Sequence, residues 1–158
     1  MSTLESLLWT AALAAAPITE LRAAIPLGIH SFGLTAPAAF FAAVAGNLVP
    51  ALLIINLLEP TMHLLGRYIP VVHRFADHWL VRSREKVRPQ VVRYGAVGLL
   101  VFIAIPLPLT GAWTGAVGAV LLGITKRKAM LAALGGILVA ATVVLAADLG
   151  IVKLIGLF

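Results

Sequence analysis

Apolar residues run along this chain in long blocks, and polar residues are confined to short interruptions. A helix that crosses a bilayer needs about 20 apolar residues. Two charge-free blocks meet that length, 35–58 and 129–147, and predict spans over 35–58 and 129–151. Two other blocks fall short. Residues 7–16 stop at Pro17, and residues 96–109 break up in IPLPLTGAWTG, 105–115. Apolar runs of this length that end in Pro/Gly-rich breaks predict re-entrant hairpins, which enter the membrane, turn and leave on the side they entered. The hairpins are placed at 4–30 and 94–124, with Pro17, Pro26, Pro106 and Pro108 as the residues that break them.

The basic residues set the orientation. Arg67, Arg74, Arg82, Arg84, Lys86, Arg88 and Arg93 lie between the first span and the second hairpin, and Lys126, Arg127 and Lys128 precede the second span. Such clusters mark the cytoplasmic side. The loop HSFGLT, 30–35, has no Lys or Arg and reads as outside, as do both termini. Within the linker 61–93, Leu64, Leu65, Tyr68, Ile69, Val72, Phe75, Trp79 and Leu80 fall largely on one helical face. That pattern predicts an amphipathic helix on the cytoplasmic membrane surface, in contact with membrane lipid.

Composition agrees. The 158 residues are 61% hydrophobic and 11% charged, too little polar surface for a water-soluble fold. The net charge of +6 could point to nucleic acid, but the cations sit in the connections between apolar blocks, so no nucleic-acid partner is expected. There is no cysteine, which excludes thiol chemistry and Cys-based metal sites. The first apolar block has no Lys or Arg before it, so it reads as part of the mature fold rather than as a signal peptide.

The order of elements implies an inverted repeat. Residues 33–49, GLTAPAAFFAAVAGNLV, align with 123–139, GITKRKAMLAALGGILV, at a constant offset of 90. Gly33, Thr35, Ala39, Ala42, Ala43, Gly46, Leu48 and Val49 all meet identical residues. The expected fold is an all-α integral membrane protein forming one membrane domain. Repeat one (1–60) and repeat two (94–158) each consist of a re-entrant hairpin and a transmembrane helix, with the amphipathic linker between them. Repeats of this kind place a substrate site near the midplane, between the two hairpin tips.

The candidate chemistry lies in those tips. An ionised side chain at bilayer depth costs roughly 2.5–3.5 kcal/mol on insertion scales, so Glu20 and Arg22 need partners or water. Fenced by Pro17 and Pro26, the stretch is expected to be non-helical, and in extended backbone residues two apart point the same way. Either the two groups pair to hold the tip, or Arg22 meets an anionic substrate group while Glu20 exchanges a proton or cation. Thr19 adjoins them. The second tip offers Thr110, Gly111, Trp113 and Thr114, a neutral polar lining or simply a packed turn. Asn47 could face the same cavity, support a kink at Pro50 or bond to a neighbouring helix. His73, Asp77 and His78 have only weak metal-ligand spacing, and neither a metal nor a cofactor is expected.

ELRAAIP at 20–26, RYG at 93–95 and IPLPLTGAWTG at 105–115 resemble the small multidrug export protein family, compact membrane proteins of bacteria and archaea. That family in turn resembles the DedA/VTT superfamily, whose members carry paired re-entrant hairpins in an inverted repeat and are implicated in lipid handling. The resemblance implies an inner-membrane location and functional roles for Glu20 and Arg22, and for Pro108, Thr110, Gly111 and Trp113. DedA members usually place further arginines near the second hairpin, whereas this second tip is uncharged. The expected function is a small transporter or lipid translocase for a small-molecule or lipid substrate, driven by protons through Glu20. A lipid-modifying membrane enzyme and a structural or assembly subunit are the alternatives, and a single acid at depth with no histidine argues against an enzyme. Ala42, Gly46, Gly135 and Gly136 permit close helix approach, so a homodimer is expected.

Overall fold

In a computed structural model the described chain is all-helical. The structure describes residues 2–68, 70–106 and 111–155, and leaves aside the side chains of 63, 65–67, 70–77 and 151–155. Pro108, Thr110, Arg67, Arg74, His73 and Asp77, with Leu65, Ile69, Val72 and Phe75 of the amphipathic face, all singled out from the sequence, therefore lie wholly or by their side chains outside the described residues. Among the described residues six helices follow in order: α1 Thr3–Ala15, α2 Glu20–His30, α3 Ala36–Tyr68, α4 Pro70–Ala104, α5 Ala112–Leu121 and α6 Lys126–Ile155. Among the described residues no strand occurs. The chain divides into two compact units, 1–49 with 137–158 and 50–136, with both boundaries inside a long helix.

Three stretches are long and apolar enough to cross a membrane: Ala36–Met62, His78–Ala104 and Lys126–Gly150. The first and third correspond to the spans read from the sequence. The second was not expected as a span, and it is not one straight helix. Gly95 interrupts it with φ 59° and ψ −134°, and a Cβ on Gly98 would lie 2.0 Å from the carbonyl oxygen of Gln90. In a continuous helix residues eight apart are about 12 Å apart along the axis. The chain therefore folds back sharply at Gly95, where a residue with a Cβ would be strained. The apolar stretch beyond the fold, up to Ala104, is only nine residues long.

In the first unit, α1 starts at a capping box. The Glu5 N–H donates to Ser2 Oγ at 3.2 Å, and the Ser2 N–H donates to Glu5 Oε2 at 2.8 Å. Its 13 residues reach about 20 Å, and the 11 of α2 about 17 Å, against a hydrocarbon core of about 30 Å. The two helices pack together, and small residues make the contact. A Cβ on Gly28 would lie 2.9 Å from Thr10 Oγ1 and 3.2 Å from the Ala39 Cβ. Gly46 of α3 is tighter still, with a Cβ position 2.1 Å from the carbonyl oxygen of Ala11. Ala14, Ala24, Ile25, Ala39 and Ala43 fill this interior. Two of the polar groups drawn into it are satisfied within the unit: Ser6 Oγ donates to the Phe32 carbonyl and Thr10 Oγ1 to the Ser6 carbonyl.

In the second unit, α4 packs on α5. Ile103 is the hub, since Cβ atoms on Gly115 and Gly136 would each fall within 2.8 Å of its side chain. The linker helix departs from expectation here. Its Leu80, Ser83, Val87 and Val91 form a buried face, and Gly118 of α5 sits directly on Val87. This stretch is thus packed inside the unit, while Leu64, Tyr68 and Trp79 stay exposed.

The turns before the two long apolar helices match in detail. Gly33 has φ +68° and Gly123 φ +73°, which is why both are glycine. Two residues later Thr35 and Thr125 accept the N–H of Ala39 and Ala129 at 3.0 and 2.9 Å.

Gly46→Ala should destabilise the protein by about 1–3 kcal/mol, because backbone at Ala11 cannot retreat as a side chain can. Gly150→Ala, in open space on α6, should instead be neutral or stabilising by up to ~1 kcal/mol. Thermal unfolding of the two variants in one detergent checks the contrast.

Candidate functional site

Helix α1 ends at Ala16, the residue before Pro17, and the chain turns over Pro17, Ile18 and Thr19 before α2 begins at Glu20. A residue before proline is pushed toward extended backbone, and Ala16 is there, at φ −76° and ψ 140°. The turn is tied back by two bonds. Thr19 Oγ1 donates to the Leu13 carbonyl, and the Glu20 N–H donates to the Ala16 carbonyl at 3.1 Å. Ile18 projects from it, 89% exposed.

The Glu20 side chain is only 7% exposed, and Arg22 Nη2 donates to its Oε2 at 3.2 Å. Arg22 itself remains 25% exposed. Glu20 occupies the first turn of α2, where the helix dipole favours a carboxylate. It also has φ +45°, the left-handed region that a residue with a Cβ rarely occupies, at a cost of roughly 1–3 kcal/mol. The two charges thus meet as the sequence allows, but by another route. The chain is helical from Glu20 onward, with Glu20 itself left-handed at the helix start, so the pair meets at a bend rather than on extended backbone.

Pro26 does not break the chain, because it lies inside α2. What it does is withhold the N–H that would bond the Arg22 carbonyl in a regular helix. Pro17 does sit in the turn, and Pro106 sits in the break after α4.

Asn47 belongs to the same unit as this bend. It is 2% exposed, one residue beyond the contact of Gly46 with α1, and its Oδ1 has no hydrogen-bond partner among the described residues. A buried amide oxygen without a partner costs about 1–3 kcal/mol, so the position calls for water or a ligand donor.

In the second unit, Gly111 precedes α5 with φ +113°. Trp113 and Thr114 lie in the first turn of α5 rather than in an open tip, Trp113 half-buried and Thr114 buried. The structure therefore brings Thr19, Glu20 and Arg22 together in one bend, while Gly111, Trp113 and Thr114 form a separate helix start. Among the described residues no group of His, Asp and Glu is arranged to hold a metal ion.

One pair escaped the sequence reading. His30, the last residue of α2, places Nε2 3.0 and 3.1 Å from the two carboxylate oxygens of Asp148 on α6. The signal was a lone acid near the end of an apolar helix, but a separation of 118 residues gives it no local spacing to read. The pair fixes the far end of the helix whose near end carries Glu20 and Arg22.

No curated protein and no solved structure matches this chain. A family model does, over residues 20–143, and its description is "Putative small multi-drug export protein". The matched region begins at Glu20, takes in Arg22 and Asn47 and runs well into α6. With most of its length matched, and with Ala36–Met62 and Lys126–Gly150 each long and apolar enough to cross a membrane, the chain is a multi-pass membrane protein that belongs to the small multi-drug export protein family.

Proposed function

We propose that this chain is a small, non-enzymatic transporter of the prokaryotic inner membrane, whose working group is the Glu20–Arg22 pair. The observation that carries the reading is a buried carboxylate held by a partly exposed guanidinium, at a bend between two helices too short to cross a bilayer. Arg22 is open to an incoming anionic group of a small molecule or lipid, and its planar fork suits carboxylate or phosphate. An anion that takes the guanidinium leaves the Glu20 carboxylate without that partner in a poorly solvated place. Glu20 is the group proposed to exchange a proton or cation as cargo comes and goes. The family description, an export protein, supports transport as the class of activity.

The architecture in this reading is DedA-like, with re-entrant hairpins in an inverted repeat. Support comes from the matching turns at Gly33–Thr35 and Gly123–Thr125, and from helix pairs shorter than a bilayer. The linker 61–93 and the turn before α6 are cytoplasmic, and Ser31 faces outside. Because the chain has no cysteine, single cysteines report this cleanly. Ser31→Cys should react with an impermeant thiol reagent on intact cells, and Arg84→Cys only after the membrane is opened. The reverse pattern would overturn the orientation.

Transport is tested in proteoliposomes with a fluorescent short-chain phospholipid and a small anionic dye, with and without a pH gradient. Glu20→Gln and Arg22→Ala should each lower flux at least tenfold, about 1.4 kcal/mol or more, while Arg22→Lys retains part of it. Unchanged flux from both of the first two variants, folded by thermal unfolding, refutes the reading.

The transporter is proposed to work as a homodimer. Many large apolar side chains are exposed on the single chain, including Trp9, Phe41, Leu53, Val97 and Leu131, and this surface can be shared between lipid and a second copy. Native mass measurement from mild detergent should give twice the chain mass, and a monomer alone would count against the dimer.

A further inference from the structure

A second polar place lies in the unit 50–136, and Glu20 and Arg22 belong to the other unit. A cavity of about 190 Å³ opens there between α3 and the turn leading into α6, walled by Ile55, Val120 and Ile124 and carrying Glu59, Thr125 and Lys126. Its two charged groups do not pair: among the described residues no ion pair joins Glu59 to Lys126, although both line the same space. Lys126 is instead held by α3, its Nζ donating to the Asn56 carbonyl at 3.4 Å. That carbonyl is available because Pro60, four residues on, has no N–H to give it. The ammonium thus bonds the backbone of α3 and makes no ion pair with the carboxylate.

Depth and charge narrow the occupant. The apolar stretch of α3 ends at Met62 and that of α6 begins at Lys126, so Glu59 and Lys126 sit where both spans end, at the level of lipid head groups. Arg127 and Lys128 follow, both exposed, making three successive cations in the first turn of a helix whose dipole already presents positive charge. An anion relieves that repulsion. An anion alone leaves Glu59 unanswered, and a cation alone leaves the three basic groups so.

We propose that this cavity binds the head group of a zwitterionic phospholipid with a primary amine, its phosphate at Lys126 and Thr125 and its ammonium at Glu59. The apolar wall receives the start of an acyl chain. A quaternary amine has no N–H to donate to the Glu59 carboxylate, and a head group without an amine has no cation to offer it. The site shares no residue with the Glu20–Arg22 pair, and its test reads lipid binding rather than flux.

The test is native mass spectrometry of the full-length protein in detergent, titrated with phosphatidylethanolamine, phosphatidylcholine and phosphatidylglycerol of identical chains. Soluble glycerophosphoethanolamine serves as a competitor. Wild-type protein should prefer phosphatidylethanolamine over both other lipids by about tenfold. Glu59→Gln, an exposed substitution that spares the core, should reduce the preference to about twofold or less, and Lys126→Gln should weaken all three lipids. Equal binding of the three by wild-type protein overturns the proposal, as does a preference that survives Glu59→Gln. Phosphatidylglycerol binding best would reduce the site to a basic patch. Full competition by the soluble phosphodiester at lipid-like concentration would assign the cavity to a free metabolite instead.

Discussion

Inside a bilayer no water completes a broken helix, so every backbone group freed by a turn must find its partner within the protein. That constraint governs the first unit. Two helices of 13 and 11 residues meet at a turn, and the groups left over at the turn are the ones that the local side chains and backbone bond. Thr19 reaches back to the Leu13 carbonyl, the Glu20 N–H bonds the Ala16 carbonyl, and the Glu20 carboxylate sits on the new helix start. Polar chemistry enters the interior of the protein because the fold bends there.

Such a bend is stable only if neighbouring helices come close enough to shelter it. Lipid tails are as apolar as the side chains, so burial of apolar area does little, and close van der Waals packing must carry the association. Hence the interior is built from Ala and Gly. Gly46 against Ala11 and Gly28 against Thr10 close the first unit, while Gly115 and Gly136 against Ile103 close the second. The same sparing use of side-chain volume leaves large residues for the outside, where Trp9, Phe41 and Leu131 are exposed.

The long apolar helices were legible in the sequence because length and absence of charge are decisive for a span, and the short ones because Pro17 and the 105–115 segment interrupt them. Other features were not legible. Pro26 looked like a break and lies inside α2, since a proline in the first two turns costs one hydrogen bond without ending a helix that is packed on its neighbour. The fold at Gly95 is carried by a single residue with positive φ, and a glycine beside Tyr94 has no unique reading in a chain with 14 glycines. The buried face of the linker, Leu80–Val87–Val91, has the same periodicity as a membrane-surface helix, and only the presence of α5 distinguishes the two. At the site, the meeting of Glu20 and Arg22 was readable from their spacing, but the left-handed backbone at Glu20 was not. The His30–Asp148 pair spans nearly the whole chain and leaves no local trace.

Glu20 carries two costs at once, a mostly buried carboxylate and a left-handed backbone, and neither helps the fold. A buried ion pair is weak evidence for stability, because well-packed apolar residues in its place are often as stable or more so. Glycine would take the same φ without strain, and an uncharged side chain would need no arginine. A turn designed for stability alone would therefore contain neither group. That expense is the physical ground on which the pair is proposed as the working group. Asn47, buried in the same unit with an acceptor that has no partner among the described residues, is a further cost of the same kind.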